Sequence, residues 1–547
     1  MEAMMRFATA QGPRLLALGV GATALQTLQA LSCDAAAAAG AARQLCDLRA
    51  LLDSSVRLDS SLGALLLGAA LALAVLVHLA ARAYRAAAVY VVDFSVFAPP
   101  NGWQFSHEDL RRCAMAHGGI AAEDIELIMK LVYRSGLGNS TAIPPGPVAW
   151  VMQEDKVQRG DKPGIEMARE EYEAACFPTI QALLDKTGVP ASQIKFVITN
   201  SSLFNPTPSL SAAVINRFGL KDDTINYNLG GMGCSAGVVA LDLARSLLRE
   251  HPGSYALVVS HENVTNSYYC GRDKSMLVPN ALFRSNGAAV LLSSRPADAG
   301  RSKYTLRHIV RTIMAADDEA YRCVWQTDDD ELQQGVRLKK ELIGVAGRTV
   351  KRNMGRLGPL VLPVSEQLKF AANAAVRAGL KALPPKTAAS LPVPASWRKP
   401  YTPNFSKAFD AVCIHTGGRG VIDSMEQNLG MSKDMVEASR AALFAFGNTS
   451  SCSVWYELAY KEAFGGLPRG ARVWQIAFGS GFKCNSAVLR ANRAVKDAHS
   501  AWEGFDKAKM YAQLEDIERE VAASRARRAA EKAAAAAAEA VAAAASR

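Results

Sequence analysis

Asn228-Leu-Gly-Gly-Met-Gly-Cys-Ser-Ala-Gly237 joins a β-like segment, Thr224 to Asn228, to an apolar helical stretch, Val238 to Leu248. A strand that turns through glycines into a helix is the building unit of an α/β fold. Cys234 sits at the turn and faces the helix N-terminus. There the dipole and free N–H groups favour a thiolate and lower the thiol pKa. The glycines let the backbone turn sharply and leave room for a substrate. Taken alone, the stretch fits a nucleophile and equally fits a buried structural cysteine in a glycine-rich turn.

The same alternation continues outward. Val89-Tyr-Val-Val-Asp-Phe-Ser-Val-Phe reads as a strand opening the folded part, followed by strands at Lys195–Thr199, Tyr255–Ser260 and Ala288–Ser293. Prolines 384, 385, 392, 394 and 400 mark residues 381–400 as a connection. The α/β pattern resumes after Lys407 and runs to about Arg493. From Asp506 the composition is helical, charged to Lys532 and then mostly alanine, as in a solvated tail without a catalytic role.

Ahead of the first strand, Leu62 to Ala81 is a nearly unbroken apolar run with His78 as its one ionisable side chain. A run of about 20 such residues crosses a bilayer core, and Arg82 and Arg85 just after it put that end in the cytosol. A buried core helix is the competing reading. Leu15 to Leu31 is weaker, carrying Gln26, Thr27 and Gln29. It reads as the first arm of a membrane hairpin, with residues 35–42 as the far loop, or as part of a targeting sequence behind Arg6 and Arg14.

The 547 residues are 50% hydrophobic and 21% charged, the balance of a folded chain of two or three domain-sized units. The net charge of +11 suits nucleic acid, an anionic membrane surface or a phosphate-bearing substrate. No nucleic-acid-binding motif is present, so nucleic acid is the weakest of these. None of the ten cysteines forms a Cys-x-x-Cys pair, which argues against a zinc site, and they are too sparse for a disulfide scaffold. The eight histidines are residues 78, 107, 117, 251, 261, 308, 415 and 499, and any histidine chemistry must draw on them.

Three features qualify as partners for Cys234. His415, in Cys413-Ile-His-Thr-Gly-Gly-Arg, ends a β-like run just before glycines, although a satisfied core histidine has the same setting. Asn448, in Phe446-Gly-Asn-Thr-Ser-Ser, opens a helical stretch through Tyr460; a helix cap or a glycosylation sequon reads the same way. Gly479-Ser480-Gly481-Phe follows a strand, Val473 to Phe478, and its turn offers backbone N–H groups to an oxyanion.

The order of these motifs is specific. Asn205-Pro-Thr-Pro-Ser-Leu, Asn228 to Gly237, Ser275-Met-Leu-Val-Pro-Asn, Leu357-Gly-Pro-Leu-Val-Leu-Pro, Cys413 to Arg419, Gly447-Asn-Thr-Ser-Ser and Gly479-Ser-Gly-Phe-Lys-Cys-Asn-Ser-Ala-Val resemble the plant and algal 3-ketoacyl-CoA synthases of very-long-chain fatty acid elongation. The resemblance runs from about Val89 to Val488. It implies a thiolase-like fold of two similar layered α/β halves, preceded by one or two N-terminal transmembrane helices. The expected divisions are a membrane anchor at 1–86, a first half at 87–300, a connecting region at 301–400, a second half at 401–495 and a helical tail at 496–547.

The resemblance also implies the chemistry. Cys234 takes the acyl group of a long-chain acyl-CoA, with its own N–H and the Gly479–Gly481 turn holding the oxyanion. His415, as a neutral Nε2–H donor, and Asn448 stabilise the enolate formed when malonyl-CoA loses CO2. Acyl-CoA and malonyl-CoA are substrates; no cofactor and no metal are needed. Expected partners are the membrane, a second copy in a homodimer, and the ketoacyl reductase, dehydratase and enoyl reductase of an elongation complex. The expected place is the endoplasmic reticulum membrane with the catalytic domain cytosolic. The alternatives are a type III polyketide synthase-like condensing enzyme, a non-catalytic homologue acting as a scaffold, and a membrane-bound thiol sensor or acyl-carrier binding protein. Against the family pattern, Ile313, Ala411 and Phe444 stand where histidines are usual, and His261 where threonine is usual.

Overall fold

The folded unit is built on nine strands, most of them apolar and buried on both faces. In order they are β1 (Val89–Val96), β2 (Ile194–Asn200), β3 (Ile225–Leu229), β4 (Tyr255–Ser260), β5 (Ala288–Ser293), β6 (Tyr304–Ile313), β7 (Ala411–Ile414), β8 (Arg472–Gly479) and β9 (Lys483–Ala491). In the computed structural model they form one nine-stranded sheet, ordered β7-β8-β9-β6-β1-β5-β4-β2-β3. The residues described are 73–74, 88–116, 120–152 and 164–545. The spans expected at Leu15–Leu31 and Leu62–Ala81 lie outside them, apart from Leu73 and Ala74, which are helical. Among the described residues no helix is long and apolar enough to cross a membrane. The chain divides into two compact units, Met1–Ala88 and Val89–Arg547; the second is described below.

The sheet contains a repeat. In the first half β2 runs parallel to β4, β4 antiparallel to β5, and β5 antiparallel to β1. In the second half β7 runs parallel to β8, β8 antiparallel to β9, and β9 antiparallel to β6. The halves join where β1 pairs with β6, Val89 opposite Leu306. Thus β6 belongs to the second half rather than to a connecting region at 301–400. Its residues Arg307, His308 and Arg311 interrupt the apolar pattern and hide the strand in the sequence.

The helices used below are α1 (Ile165–Thr187), α2 (Ala236–Glu250), α3 (Leu342–Val361), α4 (Val364–Ala382), α5 (Arg419–Leu429), α6 (Lys433–Phe446), α7 (Ser453–Tyr460) and α8 (Lys507–Ala545). One face of both half-sheets shares a core filled by α2, α6 and α7, including Leu241, Ala442 and Trp455. The opposite faces have their own cores, against α1 in the first half and against α3 and α5 in the second. This layering places the starts of α2 and α7 together at the middle of the molecule. The proline-rich connection is not plain coil. Pro384 and Pro394 cap two short helices, Pro385–Ser390 and Ala395–Arg398, where a missing N–H costs nothing.

Two features lock the layers. The buried Lys303 ammonium lies 2.6 Å from Glu462, 2.5 Å from Asp497 and 2.9 Å from Asp93. Glu462 also accepts from Tyr304 Oη at 2.6 Å and lies 2.7 Å from His499 Nε2. Glu462, Asp497 and His499 are spaced like metal ligands, yet the lysine already supplies their cation. The second feature is α8, which is docked over its first turns rather than solvated. Met510 and Ile517 are fully buried, Arg134 pairs with Glu520 at 2.7 Å, and Gln513 Nε2 donates to the Leu137 carbonyl at 2.7 Å. The alternation of charge and alanine there conceals the few apolar side chains that dock it.

Removing one partner of a buried charge network strands the others. Lys303→Met should therefore lower unfolding free energy by about 3–5 kcal/mol, measured by denaturant titration. A change under about 1 kcal/mol would show that the carboxylates reach solvent or protonate without cost.

Candidate active site

Cys234 ends the loop between β3 and α2, half-buried. Gly231 and Gly233 precede it with φ of +66° and +70°, a backbone that side chains rarely adopt. Space is as restrictive as φ. A Cβ on Gly233 would meet Ser480 N at 2.4 Å, and one on Gly479 would meet Ser235 Oγ at 2.6 Å. The nucleophile loop of the first half and the Gly479–Gly481 turn of the second thus interlock through glycines. Asn485 Nδ2 fastens the contact by donating to Ser235 Oγ at 3.1 Å.

The turn before α7 gathers the rest of the site. The Asn448 backbone is pinned on both sides, its N–H donating to the Leu282 carbonyl at 3.0 Å and its carbonyl accepting from Arg284 N–H at 3.1 Å. Its side-chain oxygen accepts from Ser450 N–H at 2.9 Å, so the amide NH2 is the part left to donate. Ser450 has φ +48°, strained for a residue with a Cβ. Its hydroxyl donates to Glu262 Oε2 at 3.1 Å and lies near enough to the Cys234 thiol to counter the rise in its pKa. Ser453 Oγ donates to the Ser450 carbonyl at 3.0 Å and lies 2.8 Å from His415 Nδ1.

That last pair couples the Ser453 hydroxyl to the histidine tautomer. With the serine proton on the Ser450 carbonyl the ring donates from Nδ1; with that proton turned to Nδ1 the ring proton sits on Nε2. The imidazole is 3% exposed, and burial pulls its pKa down to about 4 against the opposing effect of the Ser450 carbonyl. At neutral pH His415 is uncharged. The neutral Nε2–H donor expected from the sequence is one of these two tautomers.

The cysteine differs from expectation. Burial pushes the Cys234 thiol up to about 12, and the nearby Glu262 charge adds to the shift. The Ser450 hydroxyl and the cysteine's own N–H oppose it but are outweighed. A helix start favours a thiolate, yet desolvation wins here. Glu262, at the end of β4, went unnoticed in the sequence. It is buried and accepts from Ser202 N–H at 3.0 Å, Leu203 N–H at 3.1 Å and Ser450 Oγ. The signal available was an acid directly after an all-apolar strand, in Ser260-His-Glu-Asn.

Cys234, His415, Asn448 and the Gly479–Gly481 turn all line one cavity of about 1570 Å³. Its other walls are mostly apolar and include Ile128, Leu277, Val350, Met354 and Phe405. Such a volume exceeds the ≈ 300–1,000 Å³ of ordinary small-molecule pockets. The departures from the family pattern divide. Ile313 lines the cavity, whereas Ala411 is buried in β7 and Phe444 packs its ring edge-on against Phe505. His261 is a core histidine, fully buried against Tyr172, with Nδ1 2.8 Å from the Asn286 carbonyl.

Comparison with known proteins agrees with this architecture. A family described as FAE1/Type III polyketide synthase-like protein matches residues 81–379, and the C-terminal domain of chalcone and stilbene synthases matches 399–492. The chain is 47% identical to 3-ketoacyl-CoA synthase 4 of Arabidopsis thaliana over 422 residues, 77% of each chain. It is 45% identical to the probable 3-ketoacyl-CoA synthase 20 of Oryza sativa subsp. japonica over 428 residues, again 77% of each. Among solved structures it is similar to the fungal type III polyketide synthase ORAS, with TM-score 0.55 and 17% identity over 74% of this chain and 99% of that one. A type III pentaketide synthase from Neurospora crassa gives TM-score 0.54 at 17% identity with the same coverage. At that identity the two structures establish the fold.

The resting pair is a neutral thiol beside a neutral imidazole. Iodoacetamide labelling of Cys234 in the substrate-free chain should rise about tenfold per unit from pH 7 to 10 as thiolate accumulates, followed by peptide mass spectrometry. A plateau between pH 6 and 8 would reveal a preformed thiolate instead. Gly233→Ala should push the Gly479–Gly481 turn out of place. A misplacement of about 1 Å costs on the order of 10²-fold in acylation rate, read by single-turnover mass spectrometry. An unchanged rate would show that the turn takes no part.

Proposed function

This chain belongs to the 3-ketoacyl-CoA synthases, the condensing enzymes of very-long-chain fatty acid elongation, and we propose that Cys234, His415 and Asn448 carry its reaction. The observation that supports this most is the Asn448–Ser453 turn. It contributes Asn448 itself, touches the Cys234 thiol through Ser450 and holds His415 through Ser453.

In the first half-reaction the Cys234 proton passes to His415 Nε2, in the tautomer with its proton on Nδ1. The thiolate attacks the thioester carbon of acyl-CoA. The Cys234 N–H and the Gly479–Gly481 turn receive the oxyanion. The bond to CoA sulfur then breaks, and CoA leaves with the proton from His415. Burial that disfavours a free thiolate makes the acylated cysteine the better-tolerated state.

In the second half-reaction malonyl-CoA enters and loses CO2. The electron pair left behind becomes an enolate, whose oxygen meets the Asn448 amide donor and a His415 Nε2 that has taken one proton from solvent after CoA left; that proton passes to the Cys234 sulfur when the carbon–sulfur bond breaks. The enolate carbon attacks the acyl group on Cys234. A carbon–carbon bond forms, the carbon–sulfur bond breaks, and the product is a 3-ketoacyl-CoA two carbons longer. The bond changes balance with two thioesters and CO2, with no electron donor or acceptor.

The proposed setting is the cytosolic face of the endoplasmic reticulum, with the chain held by the apolar run Leu62–Ala81 and the arginines that follow it. A homodimer, working with a ketoacyl reductase, a dehydratase and an enoyl reductase, would complete the cycle.

Microsomes carrying the chain should convert long-chain acyl-CoA and radiolabelled malonyl-CoA into a product lengthened once. No labelled 3-ketoacyl product would overturn the reading, and cyclised products would favour a polyketide synthase. Cys234→Ala should lose the acyl-enzyme mass. His415→Ala and Asn448→Ala should lower condensation by about 10²–10³-fold. Asn448→Ala should still acylate, and full condensation by either variant would sink its role.

A further inference from the structure

Helix α4 is inside out. Of its 19 residues, the buried ones are Glu366 and Asn373, while Val364, Leu368 and Phe370 are 56%, 65% and 51% exposed. Both polar residues are fully employed. Glu366 accepts from Tyr401 Oη at 2.5 Å, Asn404 N–H at 3.1 Å and Lys407 Nζ at 2.9 Å. Asn373 Nδ2 donates to the Trp397 and Lys399 carbonyls at 3.0 and 3.2 Å. The helix is therefore locked with its apolar side outward, beside exposed Leu360, Leu383, Leu391 and Trp397.

Charge identifies what covers this face. Residues Leu342 to Lys399 contain ten basic side chains and one acidic, Glu366, a net +9 within a chain of +11. Large apolar side chains ringed by lysine and arginine suit the boundary of an anionic bilayer, where the rings and aliphatic groups enter the acyl region and the cations meet phosphates. The cavity containing Cys234 reaches the same face, since Gln367, Phe370, Arg377 and Tyr401 line it. We infer that α3, α4 and the two short helices after them form an anionic-membrane docking surface, from which the long acyl chain passes into the cavity. This deepens the membrane reading above, but rests on the folded unit's own surface rather than on the N-terminal run.

Trp397 provides a native probe, because the chain has no tryptophan before Trp103 and so none in the proposed anchor. The full chain would be reconstituted into phosphatidylcholine vesicles with or without phosphatidylserine, using lipids brominated near the headgroup. Fluorescence should be quenched more in the wild type than in Trp397→Phe, and more with phosphatidylserine. Lys381→Glu, Lys386→Glu and Lys399→Glu together should weaken the phosphatidylserine response by about fivefold per residue, on the order of a hundredfold in all. The same triple variant should keep its turnover of a short, soluble acyl-CoA in detergent. Equal quenching in wild type and Trp397→Phe, or none dependent on phosphatidylserine, overturns the surface. So would a disulfide or photo-crosslink joining this face to a second copy. Carbonate extraction separates the two membrane readings. A chain that resists extraction with Trp397 unquenched keeps the anchor and loses the surface; a chain stripped by carbonate with Trp397 quenched does the reverse.

Discussion

The contact of Gly233 with Ser480 is the constraint around which the site is arranged. Two loops from opposite halves approach so closely that neither Gly233 nor Gly479 has room for a methyl group. The repeat in the sheet explains how they come to meet. Equivalent strands deliver α2 and α7 into one shared core, start to start, so each half offers its loop at the same place. Gly237 extends the constraint, since a Cβ there would meet the Ser451 carbonyl at 2.7 Å. Neither half alone makes a site: the first holds the sulfur, the second the imidazole, the amide and the glycine turn.

Closeness also dries the site, and drying sets its protonation. The same burial that raises the Cys234 pKa lowers that of His415, so both groups rest uncharged at neutral pH. An ion pair between them would require two charges in a medium that solvates neither well. In the proposed reaction, proton transfer then belongs to the moment of attack, when the thioester removes the new charge from sulfur. Glu262 reinforces this. Its carboxylate beside the thiol disfavours a standing thiolate, while its hold on Ser450 keeps the strained turn in place.

Much of this was legible in sequence because β-strands buried on both faces are written as unbroken apolar runs. Tyr255–Ser260 and Ala288–Ser293 are such runs, Val89–Val96 is one interrupted by Asp93 and Ser95, and each is a strand of the central sheet. The turns were legible for another reason: Gly231, Gly233 and Gly481 have positive φ, and glycine marks such places. What the residues concealed depended on partners far away in sequence. β6 carries half-buried Arg307 and His308 and exposed Arg311 between two sheet neighbours, and α8 docks through single side chains such as Met510. The protonation of Cys234 was misread because a helix-dipole argument sees only local backbone. Desolvation comes from the other half of the molecule.

The same distinction between local pattern and distant covering decides what the unusual residues mean. Ala411 lies on a strand inside the core and Phe444 faces the Phe505 ring, so both act on packing and leave the cavity walls unaltered. Ile313 is different: it ends β6 at the cavity and is 58% exposed. It replaces a ring able to bond and carry charge with a branched hydrocarbon. In the proposed reaction the thiol, the imidazole and the amide donor come from other residues. The cavity gains apolar wall between the reacting atoms and α3. In the proposed reaction Ile313 therefore acts through the wall that the acyl chain meets.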